Sequence, residues 1–343
     1  MSTKTSGSSL GKYIAVRVAL APVFLLLLLT VLFILLRILP GDIVTASLAG
    51  RASEERIEQA RQAAGVDRPI TVQYVEYITD LARGDFGQPL TDPRSTSELL
   101  GDVLPATFEL TIVAMLIAIP LGIVLGALSA RFRDTPLDGG ARLFGIVSFS
   151  LPVFWLGIQA QLIFSVWLKW LPTGNRISGR IVPVNGPTGF YVLDGILAGN
   201  TEFALTALEH LILPGATLGL VISGIFIRLV RVNMLQTLRA DYVESAHARG
   251  VHERPVLFRH AFKNALVPVI TIMGLQFALL LGGAILTETT FSWPGIGSKL
   301  VDFINARDYV GVQVLVTVIA MLITVTSLLI DILNGLIDPR VRY

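Results

Sequence analysis

Long apolar runs alternate with polar connections along the chain, and the runs set the first expectations. A helix crossing a bilayer needs about 20 mostly apolar residues. Six segments meet that length: 14–36, 106–128, 144–168, 208–230, 266–287 and 309–336. Pro120, Pro152 and Pro214 fall inside three of them, which is tolerated where neighbouring helices satisfy the freed backbone groups. The first run follows Lys4, Lys12 and Arg17, as the apolar core of a secretory leader would. That core is longer than the roughly 7–15 residues of a leader, and Ser47-Leu48-Ala49 lies too far downstream for cleavage. An anchoring helix is expected.

The polar connections give orientation. Lys12 and Arg17 precede the first run, Arg131, Arg133 and Arg142 crowd the connection after the second, and Arg340 and Arg342 close the chain. Between the fourth and fifth runs stand Arg228, Arg231, Arg239, Arg249, Arg254, Arg259 and Lys263. With six spans these groups share one face, and basic residues near span ends mark the cytoplasmic side. Both termini are therefore expected in the cytoplasm.

On the opposite face, Pro40 to Leu104 forms a long acidic-leaning segment. Ser53 before Glu54 and Glu55, with Gly65 as a stop, predicts a short helix. A second helix is expected from Pro69, with Val72, Val75, Ile78 and Leu81 along its apolar stripe. The segment reads as an amphipathic lid on the membrane surface or as a platform for an external partner. Pro172 to Asn200, rich in Gly and Pro, shows no readable chemistry.

Composition narrows the function. The chain is 53% hydrophobic and 15% charged, with a mean hydropathy of +0.69, against about 25% charged in soluble domains. The net charge of +2 does not point to nucleic acid, because the basic residues flank apolar runs. Without cysteine there is no disulfide and no thiolate chemistry. No Walker A phosphate cradle occurs, so any ATP must be hydrolysed elsewhere. The span centres offer amides and hydroxyls, namely Gln159, Gln161, Gln276, Ser223 and Thr324, expected as hydrogen bonds between helices. An ion-coupled carrier would instead rely on Glu109 and Asp331, which lie near span ends. Gly122, Gly126, Gly157, Gly219, Gly224, Gly274, Gly282 and Gly283 permit close helix contact.

The stretch from Asp241 to Pro268 is too long for a simple turn. Asp241 to Arg249 predicts a short helix with Asp241 and Glu244 in its first turns. Gly250 ends it, having no Cβ to oppose a left-handed turn. After Pro255 a second helical run, with Phe258, Phe262 and Leu266 at four-residue spacing, leads into the fifth span. Charge alone is also compatible with a basic segment lying on anionic headgroups.

Glu244-Ser245-Ala246 followed by Gly250 resembles the E-A-A-x-x-x-G loop of ABC-importer permeases, with Ser for the first Ala. Ile38-Leu39-Pro40-Gly41-Asp42, Gly84-Asp85-Phe86-Gly87, Leu104-Pro105-Ala106-Thr107 and Glu109-Leu110-Thr111 resemble the B-type permease of its dipeptide/oligopeptide/nickel branch. So do Glu288 to Gly297, Arg307-Asp308-Tyr309 and Asp338-Pro339-Arg340, and the likeness covers essentially the whole chain in order. The resemblance implies an all-α membrane protein with six transmembrane helices, the type I ABC importer permease fold, in a prokaryotic cytoplasmic (inner) membrane. Residues 1–36 would hold the N-terminus and first helix, 37–104 the extracytoplasmic segment, 105–337 the transmembrane domain with a coupling loop at 232–264, and 338–343 the tail.

The same resemblance implies a non-enzymatic transport subunit for peptides, or for nickel chelates, glutathione or oligosaccharides. Its partners would be a homologous second permease, two ABC ATPase subunits, a substrate-binding protein or lipoprotein, and membrane lipid, but no nucleic acid. This chain would hold no metal or cofactor, with ATP and Mg on the ATPases. Glu244, Ser245, Ala246, His247, Arg249 and Gly250 would couple to the ATPase. Trp293, Pro294 and Gly295 are read either as part of an outer gate or as an interfacial anchor and turn. A secondary carrier and a scaffold protein are the alternatives from other classes.

Overall fold

The computed structural model describes residues 10–337 except 39–42, 49, 51–52, 66, 180, 185, 251, 253–261, 263–264 and 283. Every regular element among the described residues is helical. The long helices are α1 (Leu10–Ile38), α5 (Thr96–Arg131), α9 (Thr201–Leu238) and α14 (Tyr309–Ile337). These four are long and apolar enough to cross a membrane. A fifth crossing is available if α6 (Pro136–Ser150) and α7 (Val153–Ala160) count as one broken span. The pair is bent by 101° at Leu151 and Pro152, and α7 passes into a π-helical segment, Gln161–Trp167. Pro152, expected inside a span over 144–168, thus sits at this break, where it offers no backbone donor. Helix α11 (Val267–Leu281) is apolar but shorter.

Helices α5 and α9 form the centre. Their contacts rise together along both chains: Gly219 meets Ala114 and Ile117, Gly122 meets Phe226, and Gly126 meets Ile227 and Val230. The two therefore run parallel. At Gly122 an added Cβ would lie 2.2 Å from the Phe226 Cβ, so the close approach admits only glycine. Both helices outrun the expected spans. Helix α5 starts at a capping box in which Ser95 and Glu98 satisfy each other's backbone amides, and α9 continues through Pro214.

Helix α14 carries neighbours running the opposite way. Tyr13 packs on Gly335, Arg17 lies 3.2 Å from Asp331, and Leu36 packs near Val310 and Val312, which orders α1 antiparallel to α14. Along α11, Thr271 bonds Asn334 at 3.0 Å, while Gly274 meets Ile330 and Gly282 meets Ile323. Most of the outer surface of α1 is exposed hydrophobic side chains, as a lipid-facing helix requires.

Short helices finish the molecule: α2 (Ile43–Leu48), α3 (Glu54–Ala64), α4 (Ile70–Ala82), α8 (Tyr191–Leu197), α10 (Asp241–Ala248), α12 (Ile285–Thr290) and α13 (Ile296–Ala306). Helix α3 ends at Gly65 with φ +62°, as its sequence predicts. Helix α4 also starts where expected, but its packed face differs: Val75 is 61% exposed. Tyr74 and Tyr77 instead pack their rings on Phe33, and Tyr77 shares a 2.8 Å hydrogen bond with Thr317. Aromatic area outweighs the smaller valines. Ser223 and Thr324 bond to carbonyls of their own helices, at Leu220 and Ala320, rather than between helices.

Candidate functional site

Three places carry the polar architecture of the bundle. The first is α10. Two residues separate it from the end of α9 at Leu238, and Val243 is its buried anchor. Ser245 and Arg249 are exposed, and the Arg249 Nε donates to the Ser245 carbonyl at 3.2 Å. Gly250 has φ +75° with nothing near its missing Cβ, so the left-handed turn alone demands glycine. The sequence-predicted helix and stop are both present. Glu244, Ala246 and His247 lie on this helix with side chains outside the description, as does most of the run after Pro255. Leu39 to Asp42 and Asp338 to Arg340 also lie outside the described residues.

The second place is the turn from α12 to α13, at the opposite end of the bundle from α10. Trp293 is 1% exposed, and its indole N–H donates to the Ala106 carbonyl at 2.8 Å. It is a core side chain, which corrects its reading as an interfacial anchor. Glu288 is fully buried. One carboxylate oxygen accepts from the Thr107 hydroxyl at 2.7 Å and the other from the Ser298 amide at 2.8 Å. Thr107 in turn accepts from the Ile296 amide at 2.9 Å. The carboxylate thus sits at the start of α13, where free amides favour an acid. A Cβ on Gly295 would stand 2.2 Å from the Glu288 Oε1. Glycine at 295 is therefore a steric requirement of the buried acid, and Glu288 is the residue that the sequence reading missed inside its own motif.

The third place is the segment 172–200, which had shown no readable chemistry. Arg176 reaches into the bundle and donates to the Glu109 Oε2 from Nε at 3.1 Å and from Nη2 at 2.7 Å. The same Nη2 donates to the Gly189 carbonyl at 2.6 Å, and the guanidinium lies 3.7 Å from the Tyr191 ring centre. The Val192 amide donates to the other Glu109 oxygen at 3.0 Å. His210 Nδ1 lies 2.8 Å from the Gly174 carbonyl, and the Asn175 amide donates to the Phe291 carbonyl at 2.8 Å. This segment is pinned across the starts of α5 and α9 and onto α12. Glu109 is consequently a structural anchor with both carboxylate oxygens engaged, and a lone arginine in a Gly-Pro loop gave no signal of it.

Two further clusters fix the frame. Asp308 accepts from the Thr91 amide and hydroxyl at 2.7 and 2.8 Å, and from the Gly311 amide at 2.9 Å as it caps α14. Next to Thr91, Asp92 meets Arg94 and Lys299, each at 2.8 Å. Hydrogen bonds from Arg94, and secondarily from Lys299, hold the Asp92 carboxyl well below the usual carboxylate range, against the opposing effect of burial. At the other end, Arg231 of α9 forks onto the buried Asp138 of α6 at 2.8 and 2.9 Å, and the Ser129 hydroxyl of α5 joins them.

Among the described residues no group of His, Asp and Glu is placed to hold a metal ion. The polar groups are anchors and caps that tie one helix to another. Residues 100–343 match the family described as binding-protein-dependent transport system inner membrane component, and residues 10–111 match the N-terminal region of such membrane components. The chain is 40% identical to the dipeptide transport system permease protein DppB of Alkalihalophilus pseudofirmus, over 91% of this chain and 94% of that protein. It is 39% identical to the di/tripeptide transport system permease protein DppB of Pseudomonas aeruginosa, over 91% and 93%. Against the probable D,D-dipeptide transport system permease protein DdpB of Escherichia coli it is 40% identical, over 90% and 91%. The chain belongs to the family of inner membrane components of binding-protein-dependent transport systems.

Proposed function

We propose that this chain is one half of the transmembrane pathway of an ATP-driven importer of short peptides. The observation that carries the reading is α10, an exposed helix of eight residues at the base of α9, closed by Gly250 at φ +75°. It stands in a family whose relatives are named for dipeptide and di/tripeptide transport. Those names favour peptides over nickel chelates, glutathione or oligosaccharides.

In this reading the chain crosses the membrane six times with both termini in the cytoplasm. The parallel run of α5 and α9 requires a return crossing between them, and the bent α6–α7 pair supplies it. Helix α11 rises antiparallel to α14, and α12 continues that rise to the level of Thr107. Arg131, Arg133, Arg142, Arg231 and Arg239 cluster at the other end, which supports its cytoplasmic assignment.

A homologous permease completes the pathway, two ABC ATPases with ATP and Mg seat on the paired coupling loops, and a binding protein or lipoprotein delivers cargo outside. Glu244, Ser245, Ala246, His247, Arg249 and Gly250 form the seat. Nucleotide binding then selects between two discrete packings of the spans, and Trp293, Pro294 and Gly295 move with the outer gate.

The test is ATP hydrolysis and uptake by the reconstituted four-component complex with binding protein and peptide. Gly250→Pro should leave membrane insertion intact and abolish peptide-stimulated hydrolysis. Normal ATP-driven uptake by that variant sinks the coupling assignment. Loss of uptake on neutralising Asp331, with ATPases absent, would favour an ion-coupled carrier.

A further inference from the structure

We infer that the cleft between α6, α9 and α11 binds an anionic phospholipid, its phosphate held by Arg142 and Arg228 and one acyl chain laid along α6. The cleft encloses about 1090 Å³. Over most of its length it is lined by carbon: Gly145, Ile146 and Phe149 from α6, Ile225 and Ile227 from α9, and Ile272 from α11. Ile146 is 62% exposed, so the cleft opens sideways to the surroundings of the bundle. At one end the lining changes to Arg142, Arg228 and Arg231. There it runs into a second cavity of about 380 Å³ that shares Arg142 and Arg231 and adds Arg133 and Arg239.

The charge at that end is only partly compensated, five arginines facing two aspartates. Asp138 is taken by Arg231, Ser129 and the Asp134 amide, and Arg142, more than half exposed, reaches it only as a long ion pair of 3.9 Å. Asp134 pairs with its neighbour Arg133. Among the described residues no carboxylate pairs with Arg228 or Arg239. Arginines at headgroup depth, above an apolar trough, fit a phosphodiester on an acyl tail.

The lining also discriminates between occupants. A peptide brings an N–H and a C=O per residue that need partners at membrane depth, and Ser150 is the single uncharged polar side chain along the trough. An acyl chain needs none. A partner helix would seek a seam of small residues, but Gly145 and Gly224 already face each other, a Cβ on Gly224 falling 2.4 Å from the Gly145 carbonyl. The inference needs only the membrane location and is independent of the cargo.

The experiment uses the chain purified with its co-expressed partner subunits and stripped of lipid in detergent. Phosphatidylglycerol, phosphatidylcholine with the same acyl chains, and glycerol phosphate are each titrated, with bound lipid counted by native mass spectrometry. Phosphatidylglycerol should be retained, and the other two should not. At about 1 kcal/mol per arginine, the double variant Arg142→Gln/Arg228→Gln should bind it roughly 30-fold more weakly. Ile146→Trp should lower retention with every charge in place. Because the chain has no native cysteine, Ile146→Cys gives a single reactive site on this chain, read on its own band, that bound lipid should shield from a membrane-permeant maleimide. Equal retention of the two phospholipids, unchanged binding by the double variant, or high-yield crosslinking of Ile146→Cys to the partner permease would each overturn the assignment.

Discussion

Arg176 and Glu109 meet at 2.7 Å with both side chains buried, and this one ion pair fastens a connecting segment of the chain to the centre of the helix bundle. The guanidinium also reaches the Gly189 carbonyl and the Tyr191 ring, so one residue gathers both ends of the segment. Buried ion pairs are costly to break singly, because the survivor keeps its desolvation penalty without a partner.

Arg176→Met and Glu109→Gln should therefore each destabilise the protein by about 3–5 kcal/mol, while the double variant should lose markedly less than the sum. Thermal unfolding of the four proteins in one detergent gives the cycle, and limited proteolysis within 172–200 reports the loosened segment. Strict additivity would show that the pair is incidental.

Gly295→Ala should be poorly tolerated although Gly295 is not in a left-handed conformation. The added methyl falls 2.2 Å from the Glu288 carboxylate, and overpacking of this kind costs about 1–3 kcal/mol. Gly250→Ala meets no neighbour and should cost only the left-handed backbone strain of about 1 kcal/mol, so the contrast separates steric from conformational glycine.

At position 250 the order of peptide-stimulated ATP hydrolysis should be Gly, then Asn, then Ala, then Val. Asn visits the left-handed region more readily than other side chains, and a β-branched residue there is a true outlier. Equal activity of Asn and Val would mean that the φ of +75° has no part in coupling.

Acid should weaken the contact of Asp92 with α13. Its folded pKa lies below the unfolded value of about 3.9, so the stabilisation is complete above that value and is lost as pH falls further. The melting-temperature gap between wild type and Asp92→Asn should thus stay constant from pH 7 to about 5 and narrow below about 4. A gap that narrows already near pH 6 would implicate another group.

Sequence alone determined the elements whose cause is local. Apolar run length marked the long helices, since a bilayer admits backbone only with its hydrogen bonds closed internally. Gly65 and Gly250 marked helix ends, because only a residue without Cβ turns left-handed at little cost. Tertiary structure decided whatever depends on residues distant in the chain. The bend at Pro152 was an ordinary tolerated proline until the parallel α5–α9 pair forced a return path beside it. Val75 fitted the apolar stripe of α4, but Phe33 supplied a larger surface for Tyr74 and Tyr77. Glu109 looked like a free acid near a span end and Arg176 like a loop charge, and Trp293 carried an open role at the outer end. Their assignments came from partners 67 and 187 residues away. No local pattern encodes such a distance, because the energy lies in burial and pairing that exist only once the helices have packed.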